Sequence, residues 1–245
     1  MKVIDISSHN GIIDFDKVRN SGVEGVIIRA GYGVQEDNRL VENIEGCKKA
    51  GLPFGLYLYS YATSMDSAVA ETCFIREIIR KYDLYPEYPI YIDMEDADNY
   101  KLNKGKSLYK FPELYTSICQ YFCRELEKAG YYVGVYASES VFQSVLGKEE
   151  LKPYDKWVAK WSTVAPNTKG NMWQYTSDGK VEGISGRVDM NIAYVDFPIL
   201  MRMYGLNGWK VEDSPTYEYT IKTKDDTLGD TLDSMGIEYD VKIID

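Results

Sequence analysis

Residues 88–96 read YPIYIDMED, a short isoleucine- and tyrosine-rich run closed by acids, the composition of a strand. Side chains alternate along a strand, so Tyr91, Asp93 and Glu95 fall on one face while Ile90, Ile92 and Met94 fall on the other. Two carboxylates therefore share a face at the strand's C-terminal end. Seven further apolar runs read as strands: Val3–Ser7, Gly25–Ala30, Phe54–Tyr61, Tyr132–Ala137, Lys156–Lys160, Met172–Tyr175 and Arg187–Asn191. Helical periodicity occupies Phe15–Ser21, Leu40–Ala50, Met65–Tyr82, Pro112–Ala129 and Glu139–Leu146, with Gly51 and Gly130 stopping two of these segments. This alternation predicts a parallel sheet of βα units, and the helical signal fades after Trp157. Eight strands with about five helices predict an α/β fold, an irregular (β/α) barrel with an eroded second half. An open doubly wound sheet fits the same alternation.

The predicted barrel occupies residues 1–204. Residues 205–215 are rich in Gly, Asn and Pro and read as a linker, with Trp209 as an anchor. Residues 211–245 hold ten acids and three lysines, a net charge of −7 within a chain total of −10. The segment 216–245 reads strand, helix, strand, a small C-terminal α+β module too short to bury much core alone. It is expected to dock or to mediate homo-oligomerisation.

Composition excludes several chemistries. The net charge of −10 over 245 residues argues against nucleic-acid binding and against attachment to an anionic membrane. A single histidine, His9, rules out paired-histidine zinc sites. The scattered Cys47, Cys73, Cys119 and Cys123 read as free buried thiols, so neither metal nor cofactor is expected. The opening MKVIDIS shows no secretory h-region, and no run reaches about 18 apolar residues, so no membrane anchor is expected. Twenty-two tyrosines exceed what a core needs and point to a cleft that stacks on sugar, peptide or base, with many of them lining the core boundary.

Acid chemistry then falls to carboxylates. Asp5 closes the first strand in VIDISS and Asp189 sits in the last, in RVDMN, and first and last strands are neighbours in a closed barrel. Asp5, Asp93, Glu95 and Asp189 would ring one mouth. Like charges held together and partly desolvated raise a pKa, which makes a proton donor at neutral pH, as glycosidic cleavage requires. Each acid also has a plainer reading as a solvated strand end, a turn or a cap residue.

The segments IDISSHNGIIDFDKVRNSGVEGVIIRAGYG, AGLPFGLYLYSYA, YPIYIDMED, GYYVGVYAS and MWQYTSDGKVEGISGRVDMN occur in this order over about residues 1–200. Together they resemble the family 25 glycoside hydrolases, the Chalaropsis-type lysozymes. The resemblance implies an irregular (β/α) barrel that cleaves the β-1,4 bond between N-acetylmuramic acid and N-acetylglucosamine in bacterial peptidoglycan, as phage endolysins and bacterial autolysins do. It implies that Glu95 is the general acid and Asp93 its partner, whether as nucleophile, as orienter of the substrate's N-acetyl group or as positioner of water. Asp5 and Asp189 would tune those acids or hold sugar hydroxyls, and Tyr57 would face the substrate. Leu58, Asn10 and Phe15 stand where many relatives carry His, Gln and Trp.

Arg29, at the end of the second strand, is expected to pair with a ring acid. Tyr136 and Trp173, at strand ends, are candidate sugar platforms; Trp157 and Trp161 read as core; His9 reads as a loop residue. The tail's YTIKTKDDTLGDTL faintly resembles the start of a LysM repeat, although its acidity is odd for gripping an anionic wall. An enzyme of this kind, made in the cytoplasm without a signal, would reach the wall through a holin or come from a secreted precursor. The alternatives are a wall-sugar-binding protein on a dead hydrolase scaffold, and a chitin-type glycosidase.

Overall fold

The structure, a computed structural model, describes residues 1–211. The predicted module at 216–245 and its self-association lie outside the described residues. All eight predicted strands are present: β1 (Lys2–Ile6), β2 (Gly25–Tyr32), β4 (Phe54–Tyr59), β5 (Ile90–Asp93), β6 (Val133–Ser138), β7 (Asp155–Ala159), β8 (Met172–Gly179) and β9 (Val188–Ala193), with a two-residue β3 (Gln35–Glu36) appended to β2. They close a barrel in the order β1, β2, β4, β5, β6, β7, β8, β9, with β9 returning to β1. The open-sheet alternative is thereby removed.

The barrel is mixed rather than wholly parallel, which corrects the reading from βα alternation. β9 runs antiparallel to both β8 and β1. Residues 180–187 join β8 to β9, and so short a connection permits a hairpin but not a parallel crossover. Asp189 therefore lies near the start of its strand, not its end. Because that strand runs backwards, its start meets the same mouth as the C-terminal ends of the others, and Asp189 pairs in register with Asp5.

Helices α1 (Phe15–Asn20), α2 (Leu40–Ala50), α3 (Met65–Lys81), α5 (Pro112–Glu127) and α6 (Glu139–Ser144) match the five predicted. In α3 the Ser64 hydroxyl caps the Ser67 amide, and Ala68, Thr72, Ile75 and Ile79 recur at helical spacing on its buried side. Gly51 and Gly130 adopt φ of +64° and +87°, a region that costs a β-carbon dearly. Two cores result. Ile90, Ile92 and Met94 pack outward with helical residues such as Ile75, Ile118 and Phe122, while Val3, Ile27, Tyr91, Tyr136, Trp157 and Met172 fill the barrel. The strand alternation read from YIDMED is thus the division between the two cores.

Two helices go beyond the sequence reading: α4 (Tyr100–Asn103) and α7 (Phe197–Tyr204). Asp196 caps the Ile199 amide and Pro198 sits in the first turn, a start signal that the short segment does carry. Phe197 and Met201 join the barrel's inner core, with the Phe197 ring 5.5 Å from Tyr88 and 6.0 Å from Tyr132.

Residues 205–211 are not a free linker. Asn207 is wholly buried; its side-chain amide donates to the Pro86 and Tyr88 carbonyls at 2.9 and 3.0 Å, and its Oδ1 accepts from the Tyr132 amide at 2.8 Å. Trp209 donates to the Pro86 carbonyl, as an anchor should. The chain after α7 thus clasps the segments that lead into β5 and β6. Cys47, Cys119 and Cys123 are buried free thiols, but Cys73 is exposed, against expectation.

Candidate active site

A cleft of about 1210 Å³ opens over the mouth where Asp5, Asp93, Glu95 and Asp189 converge, and Arg29, Tyr57, Tyr136 and Trp157 also line it. A smaller hollow of about 470 Å³ lies beside α1 and α2 and holds none of these acids.

Asp93 is the most deeply set of the pair, 3% exposed, and its Oδ1 meets no hydrogen-bond donor among the described residues. Burial, followed by the charge of Glu95, pushes its pKa well above the ordinary value. Glu95 lies just beyond the strand's last residue, half-buried and open to the cleft. Burial raises it to about 7, Lys101 opposes that rise, and Asp189, Asp98 and Asp96 add to it. Asp189 is raised to about 6, chiefly by burial. All four carboxyls of the ring are thus raised above their ordinary values, and Asp5, Asp93 and Glu95 each feel the charge of another ring acid.

Asp5 is held by amides. Its Oδ2 accepts from Gln174 Nε2 at 3.0 Å and Asn191 Nδ2 at 2.9 Å. Gln174 Oε1 accepts in turn from the Tyr136 hydroxyl and the Trp161 indole, and Asn191 Oδ1 accepts from the Trp157 indole. Burial and the facing Asp189 raise Asp5 despite these bonds. Gln174 and Asn191 were not singled out from the sequence. The available signal was alternation: Asn191 lies two residues from Asp189 on the same strand, and Gln174 is a polar residue within an apolar one.

The other predicted residues divide. Tyr57, Tyr136 and Arg29 reach the cleft, and His9 lies at its edge. Arg29 pairs at 2.7 Å with Asp37, a residue outside the ring, and its Nη2 donates to Ser8. Trp173 does not reach the cleft. Its indole donates to the Lys160 carbonyl at 2.8 Å and its ring meets Tyr175, because in β8 the neighbouring Gln174 takes the inward position. Trp161, predicted as core, is instead 65% exposed at the cleft, while Trp157 is core as expected and also lines the cleft floor. Opposite lies a tyrosine wall: Tyr61 packs 5.2 Å from Tyr59 and 6.3 Å from Tyr32, and both Tyr59 and Tyr61 hydroxyls donate to Asp98.

Lys101 was also missed. It is 0% exposed, a rare place for an ammonium, and its Nζ donates to the backbone carbonyls of Ser60 and Glu95. Asp96 fixes the same turn by accepting from the Lys101 and Leu102 amides at 2.7 and 2.8 Å. The loop that carries Glu95 is therefore tied down at its back. No group of His, Cys, Asp and Glu suited to holding a metal ion is found among the described residues.

The glycosyl hydrolases family 25 profile matches residues 4–184, most of the described barrel and three of the four ring acids, all but Asp189. The chain belongs to glycosyl hydrolases family 25. Asp189, the exception, lies five residues beyond that match, paired in register with Asp5. The autolytic lysozyme of Clostridium acetobutylicum is 29% identical over 194 residues, covering 78% of this chain and 55% of that protein. The modular autolysin LytC of Streptococcus pneumoniae, solved with a synthetic peptidoglycan ligand, superposes with a TM-score of 0.70 and 35% identity, over 78% of this chain and 46% of LytC. The catalytic domain of endolysin ply40, from bacteriophage P40 of Listeria monocytogenes, superposes with a TM-score of 0.69 and 25% identity, over 82% and 96% of the two chains. The chain spans about half the length of the lysozyme and of LytC. Its distorted family 25 barrel is the fold that the sequence motifs imply.

The pH dependence follows from the ring. A general acid must be protonated, and Glu95 stays so up to about pH 7. For a family 25 enzyme working through Glu95, kcat/KM is expected to fall above about pH 7, approaching tenfold per unit, in a stopped assay on soluble glycan between pH 4 and 9.

Proposed function

We propose that this chain is an N-acetylmuramidase that hydrolyses the β-1,4 bond between N-acetylmuramic acid and N-acetylglucosamine in bacterial peptidoglycan. The observation that carries the reading is Glu95, half-buried at a barrel-strand end with a pKa near 7, beside the deeper Asp93. Glu95 donates a proton to the leaving glycosidic oxygen. Asp93, whose Oδ1 has no donor among the described residues, faces the developing positive charge at the sugar and is free to accept from a substrate group. Asp5 and Asp189 hold sugar hydroxyls or the proton balance of the ring. Trp161 on one rim and the tyrosines on the other offer apolar faces to sugar rings.

Family membership, the autolytic lysozyme relative and the peptidoglycan-bound LytC support the substrate class. The site of action is then the bacterial cell wall, in the manner of an endolysin or autolysin. No helix of the described residues is long and apolar enough to cross a membrane. The test is release of reducing ends from purified peptidoglycan and from chitin oligomers. Release from peptidoglycan alone is expected; release from chitin alone would make the chain a chitin-type glycosidase, and binding without release would make it a wall-binding scaffold.

A further inference from the structure

We propose that Lys101 is a positioning residue for the acid pair: its ammonium, sealed beneath the loop that carries Glu95, fixes that loop and supplies the counter-charge that acts on Asp93 and Glu95. The proposal rests on the muramidase reading for its kinetic consequence, though not for its electrostatic one.

The geometry has two parts. Lys101 is fully buried and grips the Glu95 carbonyl and the Ser60 carbonyl together, so it ties the loop after β5 to the end of β4. A methionine or leucine would fill that volume without desolvating a charge, so an ammonium here is costly unless the charge has a use. The charged groups acting on it come from several elements: Asp93 from β5, Glu95 and Asp96 from the following loop, and Glu71 from α3. The Tyr59 ring lies 5.6 Å from the ammonium. The remaining neighbour of note is the Cys119 thiol from α5, kept neutral by burial.

Glu71 is itself buried, accepting from the Ser60 hydroxyl and the Tyr61 amide at 2.7 Å each. Glu71 and the acid pair thus both act on the ammonium. Glu95 also faces Asp189 and Asp98, and Asp93 also faces Asp5 and Arg29. Arg29, however, is engaged with Asp37. Among the described residues, Lys101 is thus a cation that acts on both Asp93 and Glu95, and its pull lowers both against the burial that raises them.

Two substitutions test the arrangement in opposite senses. Lys101→Met removes the charge, so both acids keep their protons to higher pH, and both limbs of the pH–kcat/KM profile, the rise as Asp93 ionises and the fall as Glu95 does, should move up by about one unit. Activity at the new optimum should also fall, by about tenfold, because the Glu95 loop loses its tie. Glu71→Gln keeps the Tyr61 amide bond through Oε1 and reverses the Ser60 contact, the new Nε2 donating to the hydroxyl, while it removes the competing negative charge, and should move both limbs down. A purely structural Lys101 would lower activity at every pH and leave the limbs in place. The same shifts should appear in the carboxyl ¹³C titrations of Glu95 and Asp93, assigned by their absence in Glu95→Gln and Asp93→Asn proteins.

The carboxyl titration requires no turnover, so it separates this proposal from the muramidase reading. If wild-type protein cleaves no glycan yet the titrations move in opposite directions in the two variants, the proposal stands and the muramidase reading falls. If Lys101→Met fails to fold, the downward shift in Glu71→Gln decides. Titrations and limbs unmoved in the folded variants would overturn it.

Discussion

Glu95→Gln is expected to lower kcat on peptidoglycan by about 10²- to 10⁴-fold, the usual worth of general acid catalysis, while leaving wall binding intact. The amide matches the acid in shape but cannot deliver a proton to the leaving oxygen. Retention of more than about a tenth of wild-type kcat would remove Glu95 from that role. The same variant has a second signature, in stability. Glu95 is raised from 4.5 to about 7 in the folded protein, so the wild type binds its proton more tightly folded than unfolded. That contribution is complete below pH 4.5 and is lost as pH rises through about 7. Glutamine never ionises, so the variant should match wild type in stability at pH 4 and exceed it at pH 8, by on the order of 2–3 kcal/mol. Urea unfolding at the two pH values checks the sign as well as the size.

Asn207→Ala is expected to cost about 3–5 kcal/mol of unfolding free energy, far from the cleft. The substitution leaves the Tyr132 amide and the Tyr88 carbonyl without the partners that Asn207 provides, while the Pro86 carbonyl keeps the Trp209 indole. Each buried polar group so stranded costs about 1–3 kcal/mol. Asn207 also sits at a φ of +56°, which asparagine tolerates better than alanine. Asn207→Gly relieves the backbone but not the bonds, so it should recover only a minor part. A shift of less than about 1 kcal/mol in urea unfolding would mean that the clasp contributes little. The clasp also sets where the chain can be cut. A protein ended after Glu212 is expected to fold and to hydrolyse soluble muropeptides at the wild-type rate, whereas one ended before Asn207 should be markedly less stable. Circular dichroism and a soluble-substrate assay on both proteins distinguish them.

The barrel was legible because its strands carry two independent signals, β-rich composition and a period of two that separates Ile90, Ile92 and Met94 from Tyr91, Asp93 and Glu95. The direction of β9 was not, since a strand's residues look the same whichever way it runs; only the short link 180–187 encodes the reversal. α7 went unread although Asp196 and Pro198 mark its start, and the clasp was misread because Gly205, Asn207 and Gly208 have the composition of a linker. Here the glycines and asparagine serve positive φ values of a docked turn instead.

At the site, four acids could be read from their places in strands, but the contacts that hold them could not. Gln174, Asn191 and Lys101 act through contacts with residues distant in sequence or across a loop, and nothing local marks a lysine that will be buried. The same holds for Trp161 and Trp173. One lies past the end of β7 and the other within β8, and only the inward turn of Gln174 decides which indole faces the cleft.

The measurement that most directly tests the account is the identity of the sugar at the new reducing end. Purified peptidoglycan is digested with wild-type protein, reduced with borohydride, hydrolysed and analysed for sugar alcohols, with the Glu95→Gln protein as control. The account predicts muramitol from the wild-type digest and essentially none from the control. Glucosaminitol in place of muramitol, or no new reduced sugar at all, would contradict it.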